Sequence, residues 1–322
     1  MSTAPTQLLR MFGTRHQTTE IARDDAGELW WSWSRTTPFA LGLTTSKAFR
    51  TSVEAACRSA SGSDFIFKLP DKLMQPGGAS WKVPGTTSAA ESFLPRPSQN
   101  LDTAVSGLDW ERLGAALAVY HAQSSTGDRG CPTTPVGLVR LREWMSAAVV
   151  DADAGWRDEL TQTLGGPRWR RVQRMAADLD AASQHVPDDG EGRLLHGWFS
   201  LGSIVLPDDP RAPTVILSGP DICMGYAEYD LGTVIGELTE FGYLAEIQNL
   251  RADPYYNAAR SILDSYRLHI DAALLHSSIV SRILLHTYDF ATNIGWSDEL
   301  SIYSEMLCET IDSDLKWLFF NS

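Results

Sequence analysis

The apolar positions of this chain follow two rhythms. Early on they alternate: "TTEIARDDAGELWWSWS", residues 18–34, reads as a polar strand, an Asp-Asp-Ala-Gly turn and an aromatic strand with Trp31 and Trp33 on one face. A period of two around such a turn predicts a β-hairpin. In "SKAFRTSVEAACRSA" the rhythm changes, with Phe49, Val53, Ala56 and Cys57 on one stripe and Ser-Gly-Ser closing it, which predicts a helix. "DFIFKL", residues 64–69, predicts another strand. From about 70 to 106, Pro, Gly and Ser predict loops around one short strand.

The helical rhythm then dominates. "GLDWERLGAALAVYHAQ" repeats Leu113, Leu117 and Tyr120 behind Asp109 or Ser106 as N-cap. Further helical patterns cover 136–152 and 154–184, the second broken at Gly165, Gly166 and Pro167. Two short β-rich segments, "SIVLP" and "PTVILSG", flank the turn-forming "PDDPRAP". From Tyr229 onward the pattern is helical, with one long run from Tyr255 to Thr292. The prediction is an α+β chain of two lobes, a small β-rich one over 1–105 and a larger, mostly helical one over 106–322.

Composition narrows the function. With 322 residues, 43% hydrophobic and 21% charged, the chain is long enough for a sizeable core and has the balance of a globular protein. Its net charge of −13 repels phosphate backbones and anionic lipid, so neither nucleic acid nor membrane is an expected partner. No apolar run reaches the ~18 residues of a membrane span, and the first residues lack the apolar core of a signal peptide, so the expected location is the cytoplasm. Cys57, Cys131, Cys223 and Cys308 show no C-x-x-C spacing and read as reduced thiols. The histidines, His269 and His276 included, form no zinc-binding motif, and no phosphate-cradling glycine motif occurs.

Four segments stand in a telling order: "LGAALAVYHA", "LLHGWFSLGSIVL", "TVILSGPDICMG" and "EYDLGTVIGELTEF". Together they resemble the aminoglycoside phosphotransferase-like branch of the protein-kinase fold, whose catalytic loop reads H-G-D-x-x-x-x-N. The resemblance implies that His196 and Gly197 shape this loop and that Asp230 hydrogen-bonds its backbone. It also implies that the catalytic-base Asp position is Trp198, the metal-holding Asn is Ser203 and the second metal Asp is Ser218. Phosphoryl transfer needs carboxylates on Mg²⁺ and a base for the substrate proton. An indole supplies neither, and a serine hydroxyl is a weak replacement for an anionic ligand.

The implied protein is therefore a degenerate, pseudokinase-like member with no expected cofactor. The alternative, an active enzyme using ATP and Mg²⁺, needs relocated ligands. Asp221 is the candidate metal ligand, or else a loop-capping carboxylate. The family's phosphate-binding lysine falls on an aromatic or serine position of "ELWWSWS", leaving Glu54 without its cation. A rival alignment makes Lys68 that lysine, with too few residues left before His121.

A second resemblance concerns "SSIVSRILLHTYDFATNIGWSDELSIYSEML", which is similar to the C-terminal helices of kinase-like subunits in class V lanthipeptide and thioamitide biosynthesis. It implies as partners a precursor peptide and/or pathway enzymes, namely lyase, kinase or decarboxylase subunits. Assistance to thioether or aminovinyl-cysteine ring closure would call on His196 as base toward a cysteine thiol, unless His196 is simply a structural loop residue. A regulatory scaffold on the same fold is the remaining alternative. Arg168, Arg170, Arg171 and Arg174 in "GGPRWRRVQRM" form either a grip for an acidic leader peptide or a solvated helix face.

Overall fold

The computed structural model describes residues 7–14, 17–35, 46–74, 78–97, 99–123, 132–146, 154–184, 193–294, 298–313, 315 and 318. The first half of the chain runs β1 (Gln7–Gly13), β2 (Gln17–Arg23), β3 (Leu29–Arg35), α1 (Lys47–Ala60), β4 (Phe65–Lys68), β5 (Lys72–Met74), β6 (Gly78–Val83), β7 (Thr87–Ser88), α2 (Ala89–Phe93), α3 (Leu101–Ser106) and α4 (Trp110–His121). The remainder is α5 (Val136–Met145), α6 (Ala154–Gln184), β8 (Arg193–Leu195), β9 (Ile204–Leu206), β10 (Thr214–Leu217), β11 (Cys223–Gly225), α7 (Ala227–Ile247), α8 (Asp253–Ser265), α9 (Ala272–Ile294) and α10 (Asp298–Asp312). The architecture is two-lobed α+β, with a β-sheet region first and mostly helix after it.

Five strands make the small-lobe sheet, in the antiparallel order β1-β2-β3-β6-β5. The expected hairpin is β2–β3, and Gly27 closes its turn at φ 80°, donating its N–H to Asp24 at 2.9 Å. Ile21, Trp31, Trp33 and Trp81 share one buried face with Val205, Val215 and Leu217 of the β9–β10 hairpin. Trp33 and Trp81 meet edge to face at 4.6 Å, a favoured aromatic geometry. The Trp81 indole N–H also donates to the carbonyls of Lys68 and Ser218, tying the sheet to the end of β10.

Of the three strands of this sheet beyond the β2–β3 hairpin, β1 was not predicted, and β5 and β6 stand where loops around one short strand were expected. β1 is exposed along nearly its whole length, so it has no alternation to read. β6 begins with Gly78, Ala79 and Ser80, all buried, so small residues stand where an apolar run would have marked a strand. β4, predicted correctly, belongs to a second sheet of order β4-β10-β9-β7, where it pairs in parallel with β10. That sheet joins strands from both sides of residue 105. The long helical run from Tyr255 is two helices, α8 and α9, and Asp271 caps the second by accepting the N–H groups of Ala273 and Leu274.

The large lobe is organised around α7, which is buried on almost every side and packs on α9. The contact depends on missing side chains. A Cβ on Gly232 would lie 2.3 Å from the Cβ of Ser278, and one on Gly236 would meet the Arg282 stem at 3.0 Å. Two glycines one turn apart thus let α9 approach and lay Arg282 along α7. Gly232→Ala is expected to lower stability by ~1–3 kcal/mol, the usual range for an overpacked core. Urea unfolding is the measurement, with Gly62→Ala, where a Cβ meets nothing within 4 Å, as a near-silent control.

Candidate functional site

The loop after β8 is held by one carboxylate. Asp230, fully buried in the first turn of α7, accepts the backbone N–H of His196 at 2.6 Å and of Gly197 at 2.9 Å. His121 of α4 reaches the same carboxylate through Nε2 at 3.0 Å, and its Nδ1 meets the Tyr266 hydroxyl at 2.8 Å. Gly197 has φ 80°, and a Cβ there would sit 1.9 Å from the Asp221 carbonyl oxygen. Only glycine allows the loop to lie this close to the Asp221 segment. Further along, the Ser203 hydroxyl donates to the Ser200 carbonyl at 2.7 Å, and Glu237 of α7 accepts the Leu201 N–H.

Between this loop and the underside of the small-lobe sheet lies a cavity of about 690 Å³. Phe12, Trp31, Trp33 and Arg35 line it from above, Trp198 from the loop, and Arg140, Glu237, Glu240 and Arg282 from the helices below. Arg282 sits 5.5 Å from the centre of the Trp198 ring, within cation–π range. Its guanidinium donates to Glu237 at 2.6 Å and stands 3.8 Å from Glu240, which His286 meets at 2.8 Å. Burial disfavours the charge of Arg282, but Glu240 and Glu237 more than offset this and raise its pKa.

The same arrangement recurs around the wall. Arg35 engages both oxygens of Asp221, with Nη1 at 2.8 Å from Oδ1, and the two side chains are only 10% and 5% exposed. Burial works against the Arg35 charge while the Asp221 carboxylate stabilises it, with a net rise in pKa. Arg140 pairs with Asp289, and Arg10 with Glu91 at 2.7 Å. Four of the five arginines lining the cavity, Arg10, Arg35, Arg140 and Arg282, thus already have carboxylates.

Of the residues singled out in the sequence, Trp198 and Asp221 line this cavity, and Asp230 sits beneath the loop. Ser203 and Ser218 are fully buried beside it, the former spent on its own turn. Cys57 of α1 is buried too, and burial pushes its thiol up to about 12. His196 does not reach the cavity as a base would have to. It is 2% exposed, its Nε2 lies 3.1 Å from the Leu217 carbonyl as donor, and burial lowers its pKa, so it is held neutral as a loop support. Lys68 lies outside the lining as well, bound to the Lys82 carbonyl at 2.8 Å and to Asp71 at 3.0 Å. Glu54 pairs with Arg50 on the partly exposed side of α1. Arg168 is engaged by Asp312, and none of Arg168, Arg170, Arg171 and Arg174 lines the cavity. Cys131 lies outside the described residues.

Sequence reasoning missed the cations that matter. Arg35 had a signal, since Trp31, Trp33 and Arg35 have the same parity on one strand and point to the same side. Arg140 and Arg282 had none, because their place is set by how α5 and α9 pack. The carboxylate that could hold a metal at this site is engaged within the chain. Asp221 is already occupied by Arg35, the other ligand positions are Ser203 and Ser218, and among the described residues no cluster of three His, Cys, Asp or Glu is placed to hold a metal ion.

No family model and no curated protein matches the chain. Solved structures do match. An ethanolamine kinase from Plasmodium vivax aligns with TM-score 0.52 and 10% identity over 96% of this chain and 81% of its own. A choline/ethanolamine kinase family protein from Mesorhizobium loti aligns with TM-score 0.51 and 14% identity over 98% and 89%. The fold is protein-kinase-like. An aminoglycoside phosphotransferase from Streptomyces rimosus also aligns, at TM-score 0.47 and 15% identity over 88% and 93%. Trp198 of the loop after β8 is the residue that the sequence resemblance set at the position of the catalytic aspartate.

Two outcomes follow for the loop. Asp230→Ala strands two backbone donors and a buried imidazole, and a loss of ~3–5 kcal/mol is expected in chemical unfolding, as for a buried pair deprived of one partner. For His196 the sign is set by its lowered pKa. The unfolded chain takes up a proton near ~6.5 that folded His196 refuses, so stability present above that pH is lost as the pH falls. Urea midpoints at about pH 7.5 and about pH 5.5 should differ less for His196→Gln than for the unaltered protein.

Proposed function

We propose that this kinase-fold protein is catalytically silent and binds a peptide in its interlobe cavity as a component of ribosomal peptide natural-product maturation. The observation that supports silence most directly is the Arg35–Asp221 pair beside Trp198. A triphosphate brings several negative charges and normally needs Mg²⁺ and a free cation to meet them. Here the deep cations, Arg35, Arg140 and Arg282, are neutralised by Asp221, Asp289 and Glu237, and the carboxylates would face the phosphates. A polypeptide carries no such charge density, and the aromatic walls of Phe12, Trp31, Trp33 and Trp198 offer it apolar surface.

In this reading the partners are a precursor peptide and the lyase, kinase or decarboxylase that modifies it, in the cytoplasm. No described helix is long and apolar enough to cross a membrane. The arginines of α6 remain a second contact surface for an acidic leader. Ring closure, if this protein assists it, depends on orientation within the cavity, because His196 is enclosed.

The deciding experiment is thermal unfolding with millimolar ATP and Mg²⁺. A ligand that binds only the native state at a hundred times its Kd stabilises by ~2.7 kcal/mol, a plainly measurable shift. No shift is expected, and a Mg²⁺-dependent shift overturns the silent reading in favour of an active phosphotransferase. Trp198→Asp is also expected to leave phosphate transfer undetectable in a radiolabelled-ATP assay, since Ser203 and Ser218 still provide no metal ligands. Binding of the precursor peptide, read by fluorescence anisotropy, tests the other half.

A further inference from the structure

The small-lobe sheet ends in β1, whose outer edge has no strand partner among the described residues. Along it Leu8, Met11 and Phe12 are 54%, 63% and 44% exposed. Soluble proteins usually blunt such an edge with charge, proline or a covering element, because it is a ready template for another strand. β1 carries one charged residue, Arg10, and Glu91 already engages it.

The backbone shows which groups are free. Thr14 donates its N–H to the Gln17 carbonyl at 2.8 Å, closing the β1–β2 hairpin, and Phe12 stands opposite Thr19. Hydrogen-bonded and outward-facing residues alternate in an antiparallel ladder, so Met11 and Gly13 turn their polar groups to the open edge. The Gly13 carbonyl agrees with this, since it accepts a hydrogen bond from the Asn293 side chain of α9 rather than from β2. That leaves Met11 as the exposed pairing point.

β1 is also a wall of the cavity, which Arg10, Phe12 and Gly13 line. A strand added to its edge prolongs the roof, and every second side chain of it points toward the same space. Arg96, exposed and lining the cavity, has no carboxylate partner among the described residues, unlike Arg10, Arg35, Arg140 and Arg282. We infer that an extended segment of a partner polypeptide, with alternating apolar and acidic residues, adds to the Met11 edge of β1 by strand pairing and sets a carboxylate against Arg96. This rests on the reading of the protein as a peptide binder and names the mode and chemistry of that binding.

The probe is a fluorescein-labelled hexapeptide alternating glutamate with valine and leucine, compared with the same peptide carrying lysine for glutamate, each titrated with the full chain and read by anisotropy. The acidic peptide binds and the lysine peptide binds at least roughly tenfold more weakly. Met11→Pro, which removes the outward N–H without touching a bond to β2, weakens the acidic peptide by a similar factor. Arg96→Glu reverses the preference between the two peptides, and it carries the test should Met11→Pro fail to fold. Amide exchange at Met11 in the unaltered protein slows when the acidic peptide is added. If the acidic peptide binds and neither variant changes its affinity, or if the lysine peptide binds equally well, the edge-pairing inference is overturned while peptide binding as such stands. If neither peptide binds at millimolar concentration, the inference is overturned, and the silent-kinase reading is still decided separately by the nucleotide experiment and the precursor peptide.

Discussion

The large lobe and the cavity both depend on the buried Asp230 carboxylate. Two backbone N–H groups and one imidazole converge on it from two segments of the chain. Hydrogen bonds to an ionised acceptor are among the stronger ones a protein makes, and a buried carboxylate without them is very costly. The loop therefore has little freedom. With Gly197 pressed against the Asp221 backbone, the next residue can only face the cavity, which is why the Trp198 indole meets Arg282 there. Loop geometry of this kind makes no demand on the chemistry of position 198. A helix start, a glycine and a histidine hold the backbone, and the side chain they present is a separate matter.

What is presented is a set of internal counter-ions. In a phosphotransferase the positive charge comes from metal ions and a mobile lysine, so it is available to the substrate. Arg35, Arg140 and Arg282 are fixed guanidiniums, each engaged by a carboxylate of this chain. Breaking such a pair to serve a ligand leaves a buried carboxylate uncompensated, a penalty of several kcal/mol. The pairs also do structural work: Arg35 comes from the small-lobe sheet and Asp221 from the loop after β10, so that pair clasps the two sides of the cleft.

Much of this was legible in the sequence, and the failures have physical causes. The β2–β3 hairpin, α1, α4 and the kink at Gly165 announce themselves through local periodicity and turn chemistry, and the structure has each of them. The scaffold of the loop after β8 was legible because glycine, histidine and a helix-start aspartate are needed at fixed separations to make one turn of backbone. β1 was illegible because it has no buried face, and β6 because its buried positions are Gly, Ala and Ser. Lys68 drew attention as the phosphate-binding lysine of a rival alignment, yet β4 pairs with β10 rather than β3, and the Lys68 ammonium is bound to the Lys82 carbonyl outside the cavity lining. His196 drew attention as a titratable loop residue, yet burial under Leu217 removes it from reach. The cavity cations come from three distant segments, and no local pattern encodes their convergence, apart from the parity that sets Arg35 in line with Trp31 and Trp33.

The balance of charge then bears on what the cleft can hold. An aromatic roof over a floor of matched ions offers a ligand dispersion contacts and few unsatisfied charges, so affinity must come largely from shape, apolar area and backbone hydrogen bonds. On the proposed reading a nucleotide would gain little from such a surface, because its charge is concentrated in the phosphates. An extended chain gains from it at every residue, and its own amide groups find a partner wherever a strand edge is open. β1 presents a free edge of seven residues beside the cavity, and the only arginine lining the cavity without a carboxylate is Arg96, among the described residues. On the proposed reading, the strands that form the roof of the cleft would also supply the edge that holds a polypeptide.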